Sequence, residues 1–262
     1  MLLEAPKVLG KELENKLIFG QPIDTYYGKA RFYTYTEFLE RQVELNYISM
    51  TILGYYYAIR RELINQGASK KELIELKEMQ KIELFDFIRI TPFVLEAYKK
   101  VFHEVFELPE NEKGKYLETD FYITMDKEDF YNMRDIVMRI NLLKEEVMSP
   151  SPKVQDRFDR EKARKRREAG EGATIETVLS TLTLFTGKSY QELGEMTAYQ
   201  ILNTYQRVHA FGEFFVTTLF KTAGAEVDIA MWDKNHNMLE EDKPSGMTEA
   251  EFNKKFGSMG LA

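Results

Sequence analysis

The sequence predicts a mainly α (α+β) protein: a helical bundle with a small N-terminal β element and a C-terminal αα-hairpin. Three observations carry this expectation. Apolar residues recur at helical spacing over most of the 262-residue chain. S/T-x-x-E boxes and glycines punctuate those runs where helices start and stop. Alternating or turn-bounded apolar runs are confined to short stretches, chiefly before residue 36.

From the N-terminus, KLIFG (16–20) and KARFYTY (29–35) flank a polar turn containing Pro22, Asp24 and Gly28, and read as the strands of a small hairpin or an edge-type sheet. Thr34 with Glu37, or Thr36 alone, supplies the N-cap of one long helix, TEFLERQVELNYISMTILGYYYAIRRELINQG. Its apolar residues, among them Phe38, Val43, Leu45, Ile48, Ile52, Tyr56 and Ile59, cover more than one face, so this helix should touch two neighbours. Gly67 ends it, and Ser69 with Glu72 opens a second helix running from 70 toward 90, where Pro92 interrupts. A third helix over 93–107 carries Val94, Leu95, Tyr98, Val101, Phe102, Val105 and Phe106, and Pro109 closes it.

YLETDFYITM (116–125) alternates as a strand does, and Asp126 caps a helix with the stripe Phe130, Met133, Ile136, Val137 and Ile140. MSPSPKV (148–154) marks a boundary, because its prolines remove backbone donors and helix-compatible dihedrals together. The expected organisation is an N-terminal α+β domain (1–147), a charged linker helix (148–173), a helical hairpin (174–232) and a partly flexible tail (233–262).

In the hairpin, Val178, Leu179, Leu182 and Phe185 share a face before Gly187 stops the helix. Ser189 and Glu192 box a short helix, and Thr197 caps a long one carrying Ile201, Leu202, Tyr205, Val208, Phe211, Phe215, Leu219 and Phe220, read as a core face. EVDIAMW (226–232) reads as a short strand or a packed extended segment, and Thr248 with Glu251 boxes a short terminal helix.

Composition narrows the function classes. A net charge of −7 and a pI near 5.3 disfavour broad binding to nucleic acid or anionic membranes. With no Cys there is no disulfide framework, thiolate nucleophile or Cys-based metal site, which suits a reducing cytoplasm. Glu4 and Lys7 sit where a secretory signal would need its apolar core, and no uninterrupted apolar run is long enough to span a bilayer, so neither export nor a membrane location is expected.

Chemistry-bearing motifs fail their spacing tests. His103, His209 and His236 are too scattered for a ligand motif and read as structural or surface residues. TGKS (186–189) lacks the upstream glycine of a phosphate loop and follows a helical run, so Gly187 reads as a helix stop. No nucleophile elbow or dinucleotide fingerprint is present, and no catalytic residue, metal or cofactor is expected. The basic run Arg157, Arg160, Lys162, Arg164, Lys165, Arg166 and Arg167 could neutralise phosphates, but Asp156, Asp159, Glu161 and Glu168 sit at pairing offsets, which favours a solvated helix. Tyr55, Tyr56 and Tyr57 ride on apolar stripes and read as core. The candidate partner contacts are Arg160, Arg164 and Arg167 on that helix, and Trp232, Phe252 and Phe256 in a polar, Gly-rich segment that cannot bury them locally.

The order of these elements carries a family resemblance. KLIFGQPI, then DFYNMRDIVMRIN, then a charged segment, then TLFTGKSYQELGEMTAYQILNTYQRVHAFGEFF resembles products of tailed-bacteriophage tail genes, over most of residues 16–232. In particular, an apolar helix ending in Thr-Gly, a Y-x-E-L-G-x-M-T segment and a Y-x-x-L-x-x-Y-x-R helix look like tail assembly chaperones. The resemblance implies an α-rich non-enzyme in the host cytoplasm that binds the tape measure or another tail component. It has no catalytic residues to carry over. The chain is long for such a chaperone, and its strand-bearing N-terminal half equally suits a subunit retained in the virion tail or baseplate.

Overall fold

The computed structural model describes residues 11–107, 125–169 and 172–233. Its largest core is built around a helix buried over most of its length, Pro92–Phe106. Pro92 sits at the first helical position, where its missing N–H costs nothing, and Val94, Tyr98, Val101, Phe102 and Val105 are fully buried. That helix ranks seventh in chain order, after α1 (Lys11–Phe19), α2 (Tyr35–Glu40), α3 (Gln42–Ser49), α4 (Ile52–Asn65), α5 (Lys70–Glu75) and α6 (Leu84–Ile90), and is α7 below. It packs against α3, α6 and α8 (Lys127–Ile140). A mainly α protein with a small N-terminal β element and a C-terminal helical hairpin is what the sequence predicts.

Three local expectations need correction. KLIFG is not a strand: residues 16–19 end α1, burying Leu17 while Ile18 and Phe19 face outward. Gly20 closes α1 at φ +63°, packed so tightly that an added Cβ would come within 3.2 Å of the Thr197 methyl. The strands are β1 (Ile23–Thr25) and β2 (Gly28–Ala30), antiparallel with Ile23 opposite Ala30, and only Lys29 and Ala30 of KARFYTY belong to them.

The expected single helix over 36–67 is α2, α3 and α4. Arg41 leaves helical geometry between the first two, held by charge-assisted bonds from Nε (3.0 Å) and Nη2 (2.9 Å) to the Glu104 carboxylate on α7. Met50 is extended at the second break, where Arg134 of α8 donates to the freed carbonyls of Ile48 (2.9 Å) and Met50 (3.2 Å). Carbonyls at a helix end need partners, and this buried guanidinium supplies them. The helix expected over 70–90 likewise divides into α5, a 3₁₀ segment (Leu76–Lys81) and α6, with extended Ile82 between the last two. The strand expected at 116–125 lies outside the described residues apart from its last position.

A smaller second core joins Tyr35 of α2 to α10 (Ile175–Thr186), α11 (Tyr190–Gly194) and α12 (Ala198–Thr222) through Val178, Leu182, Leu193, Ala198 and Ile201. Hydrogen bonds tie the hairpin to the N-terminal half: Tyr35 N donates to Met196 O (2.6 Å), and the Gln200 side-chain Nε2 donates to Ile18 O (2.8 Å). In the chain, α9 (Pro152–Ala169) lies between α8 and α10.

Candidate partner-binding surface

The hairpin forms where its local signals place it. Thr174 caps α10, Gly187 stops it at φ +72°, and Ser189–Glu192 and Thr197–Gln200 make complete capping boxes for α11 and α12. The Gly-Lys-Ser stretch is therefore a helix end.

The two long helices differ in length. At ~1.5 Å per residue, the 12 residues of α10 span about 18 Å and the 25 residues of α12 about 37 Å. Ala198, Ile201, Tyr205 and Val208, on the first part of α12, join the second core, which holds no residue of α12 beyond Val208. Among the described residues, the same face continues without cover. Ile201, Tyr205, Val208, Gly212, Phe215 and Leu219 follow one another in alternating steps of four and three, the spacing of a coiled-coil seam. Phe215 is 57% exposed and Leu219 55%, with Val216 and Phe220 open beside them. The sequence reading made this stripe a core face, and the structure corrects it: the apolar period is present, but α10 is too short to bury its second half. Contiguous exposed apolar surface of this kind marks interaction sites.

The segment after α12 defines one edge of the stripe. Gly224 turns the chain at φ +91°, and residues 225–232 return along the helix without regular structure, with Val227 N donating to Ala225 O (3.0 Å). Ala230 N donates to Thr217 Oγ1 (3.2 Å), Arg207 Nη1 donates to Trp232 O (3.2 Å), and the Trp232 ring meets Phe211 edge-on at 6.5 Å. EVDIAMW forms no strand: only Ile229 and Ala230 are half-buried, and the rest of the segment is exposed. Trp232 and Met231 remain about half exposed at the rim. Phe252 and Phe256, the other aromatic candidates, lie outside the described residues, as do His236 and the Thr248–Glu251 box.

Arg160, Arg164 and Arg167 are all exposed along α9. The helix is seated at its first turns, where buried Gln155 accepts from Ser149 N (2.8 Å). Further along, two of its pairs follow the predicted spacing, Lys165 with Glu161 (3.4 Å) and Arg164 with Glu168 (3.7 Å), while Lys162 pairs with Glu146, before the helix. Arg167 Nε donates to Ala163 O (3.3 Å). The three arginines thus share one helix, while Trp232 joins Phe211 and Arg207 on another.

The buried polar groups hold the fold together. Tyr33 OH donates to Glu104 (2.8 Å), and burial together with that carboxylate pushes its ionisation far above the ordinary tyrosine range. Burial likewise pushes Tyr98 up to about 12, against the lowering effect of Arg134. His103 is buried on α7 and His209 is a surface residue 3.8 Å from Glu213. Among the described residues, no three His, Cys, Asp or Glu side chains group to hold a metal ion, and no helix is long and apolar enough to cross a membrane. The open stripe itself carries no titratable side chain, so its chemistry is apolar contact.

Known proteins give two kinds of match. The chain is similar to the SPbeta prophage-derived uncharacterized protein YomV of Bacillus subtilis (strain 168), with 24% identity over 232 residues, covering 88% of this chain and 92% of that one. A phage connection, which the tail-gene resemblance implied, is therefore supported by a prophage-encoded relative. No solved structure matches. The model of the YomV N-terminal domain matches residues 11–150, over half of the chain, and that of the YomV second domain matches 163–237, so this chain belongs to the YomV family.

Proposed function

We propose that this chain is a non-enzymatic phage tail assembly protein, a chaperone that holds an apolar helical segment of a tail component such as the tape measure. The observation that carries the reading is the uncovered half of α12, where Phe215, Val216, Leu219 and Phe220 make an apolar stripe at coiled-coil spacing. A client helix with apolar residues at matching intervals would lie along it, the helix-on-groove mode of recognition. The prophage origin of the relative and the order of the C-terminal motifs support placing this activity in phage morphogenesis.

Two measurements test it. Co-expression with the tape-measure product of the same phage should give a complex that Leu219→Glu abolishes while the variant's helical circular dichroism is retained. Mass spectrometry of purified virions should find the chain absent or far below stoichiometric. Stoichiometric presence would replace the chaperone reading with that of a structural tail or baseplate subunit.

A further inference from the structure

We propose that the open stripe of α12 pairs with the same stripe of a second copy, so that the free protein is a weak antiparallel dimer. The inference uses the same face as the client reading but stands without it. Four features of this face point to a second copy.

The first is length. The part of α12 past Val208 is about as long as α10, so an incoming copy of that half fills the track that α10 leaves vacant. Each α12 would then be covered along its full length, half by its own α10 and half by its partner. Direction follows from the same geometry. In a parallel pair the incoming helix would run on into the space that α10 occupies beside Ile201 and Val208. An antiparallel pair places the two bodies at opposite ends of a shared stem, with a closed two-fold interface.

The second feature is side-chain shape. Gly212 stands in the seam with nothing within 4 Å of where its Cβ would be, leaving a notch that accepts an aromatic ring from the opposite helix. The third is charge. Val216, Phe211 and Thr218 flank the exposed seam, so two copies meet without like-charge repulsion there despite the overall charge of −7. The fourth is area. Phe211, Phe215 and Phe220 are 51–57% exposed, and with Val216 and Leu219 they offer on the order of 500 Å² per copy, taking ~150–250 Å² per aromatic side chain. A pair removes about 1,000 Å², at the lower bound for a specific interface, which fits a reversible association.

Sedimentation of the purified full-length chain over a wide concentration range tests this without any phage partner. The mass should rise from 30.8 kDa toward twice that value. Phe215→Glu and Leu219→Glu should each weaken association at least tenfold with circular dichroism unchanged. Because the chain has no Cys, single cysteines report direction: Val216→Cys, near the two-fold, should form a disulfide-linked dimer under mild oxidation and Thr222→Cys should not. A mass of 30.8 kDa at every concentration, a dimer indifferent to the two glutamates, or linkage at 222 rather than 216 would each overturn the proposal. So would a dimer that appears only when residues 234–262 are removed, since that would assign the stripe to the chain's own C-terminal segment. Failure to capture the tape measure would leave this result standing, and a monomer that captures it would separate the two ideas the other way.

Discussion

Leu182 and Leu219 test the contrast on which the functional reading depends, because the same substitution at two positions of one hairpin should have very different costs. Leu182 is fully buried in the second core, so Leu182→Ala removes its burial and leaves a cavity, worth about 3–5 kcal/mol. Leu219 is 55% exposed and retains less than half of the ~1.5–3 kcal/mol that full burial of such a side chain contributes. Leu219→Ala should therefore cost at most about 1 kcal/mol, part of it recovered by the better helix propensity of Ala. Urea unfolding followed by circular dichroism, at a concentration low enough to keep the chain monomeric, measures both. In thermal melts the pair should separate, at roughly 2–4 °C per kcal/mol for a chain of this size. If Leu219→Ala costs as much as Leu182→Ala in the dilute monomer, the stripe is covered within a single chain. Both the client and the dimer readings would then lose their basis.

Three further outcomes follow from the packing. Glu104→Ala leaves the buried Tyr33 hydroxyl and the Arg41 guanidinium without their shared acceptor, and should destabilise by about 1–3 kcal/mol in urea titration, with Glu104→Gln milder. Arg134→Leu frees the carbonyls of Ile48 and Met50 at the α3–α4 break, and an expected loss of about 2–4 kcal/mol should be accompanied by faster hydrogen exchange at the ends of those helices. Burial alone would raise the Glu37 and Glu44 carboxyls, but bonds from Arg31 and Thr34 to the first and from Lys100 to the second hold both below the usual value near 4.5. A carboxylate depressed in the folded state binds protons more readily when unfolded, so its stabilisation is present above pH ~4.5 and is lost as pH falls through the depressed values. Acid titration of the Glu37→Gln, Glu44→Gln double variant should accordingly show a flatter loss of stability below pH ~4.5 than the parent.

The helix ends were legible in the sequence because capping is a local matter. Thr34–Glu37, Ser69–Glu72 and Ser189–Glu192 all form complete boxes, and Asp126 and Thr197 cap the helices assigned to them. Each signal needs only residues within one turn of one another. The α1 helix was missed because KLIFG is too short for a period of two to be told from one of 3.6. The division of residues 36–67 was illegible for another reason: Arg41 leaves the helix to reach Glu104, 63 residues away, and the next break is filled by Arg134, 86 residues from Ile48. Neither partner is visible in the local pattern.

The candidate surface divides the same way. Periodicity establishes that Val101 and Phe215 both lie on apolar helical stripes, and local chemistry establishes where those helices begin and end. Whether a stripe is buried depends on what stands opposite it. Val101 lies on α7, which packs against three helices, and is fully buried, whereas Phe215 lies on the part of α12 that outruns its neighbour and remains 57% exposed. The sequence by itself therefore determined the capped helix starts and the apolar faces, but not α1 or the breaks within 36–67 and 70–90. Tertiary packing alone decided which of those faces became core and which was left exposed, because burial depends on the relative lengths and placement of elements far apart in the chain.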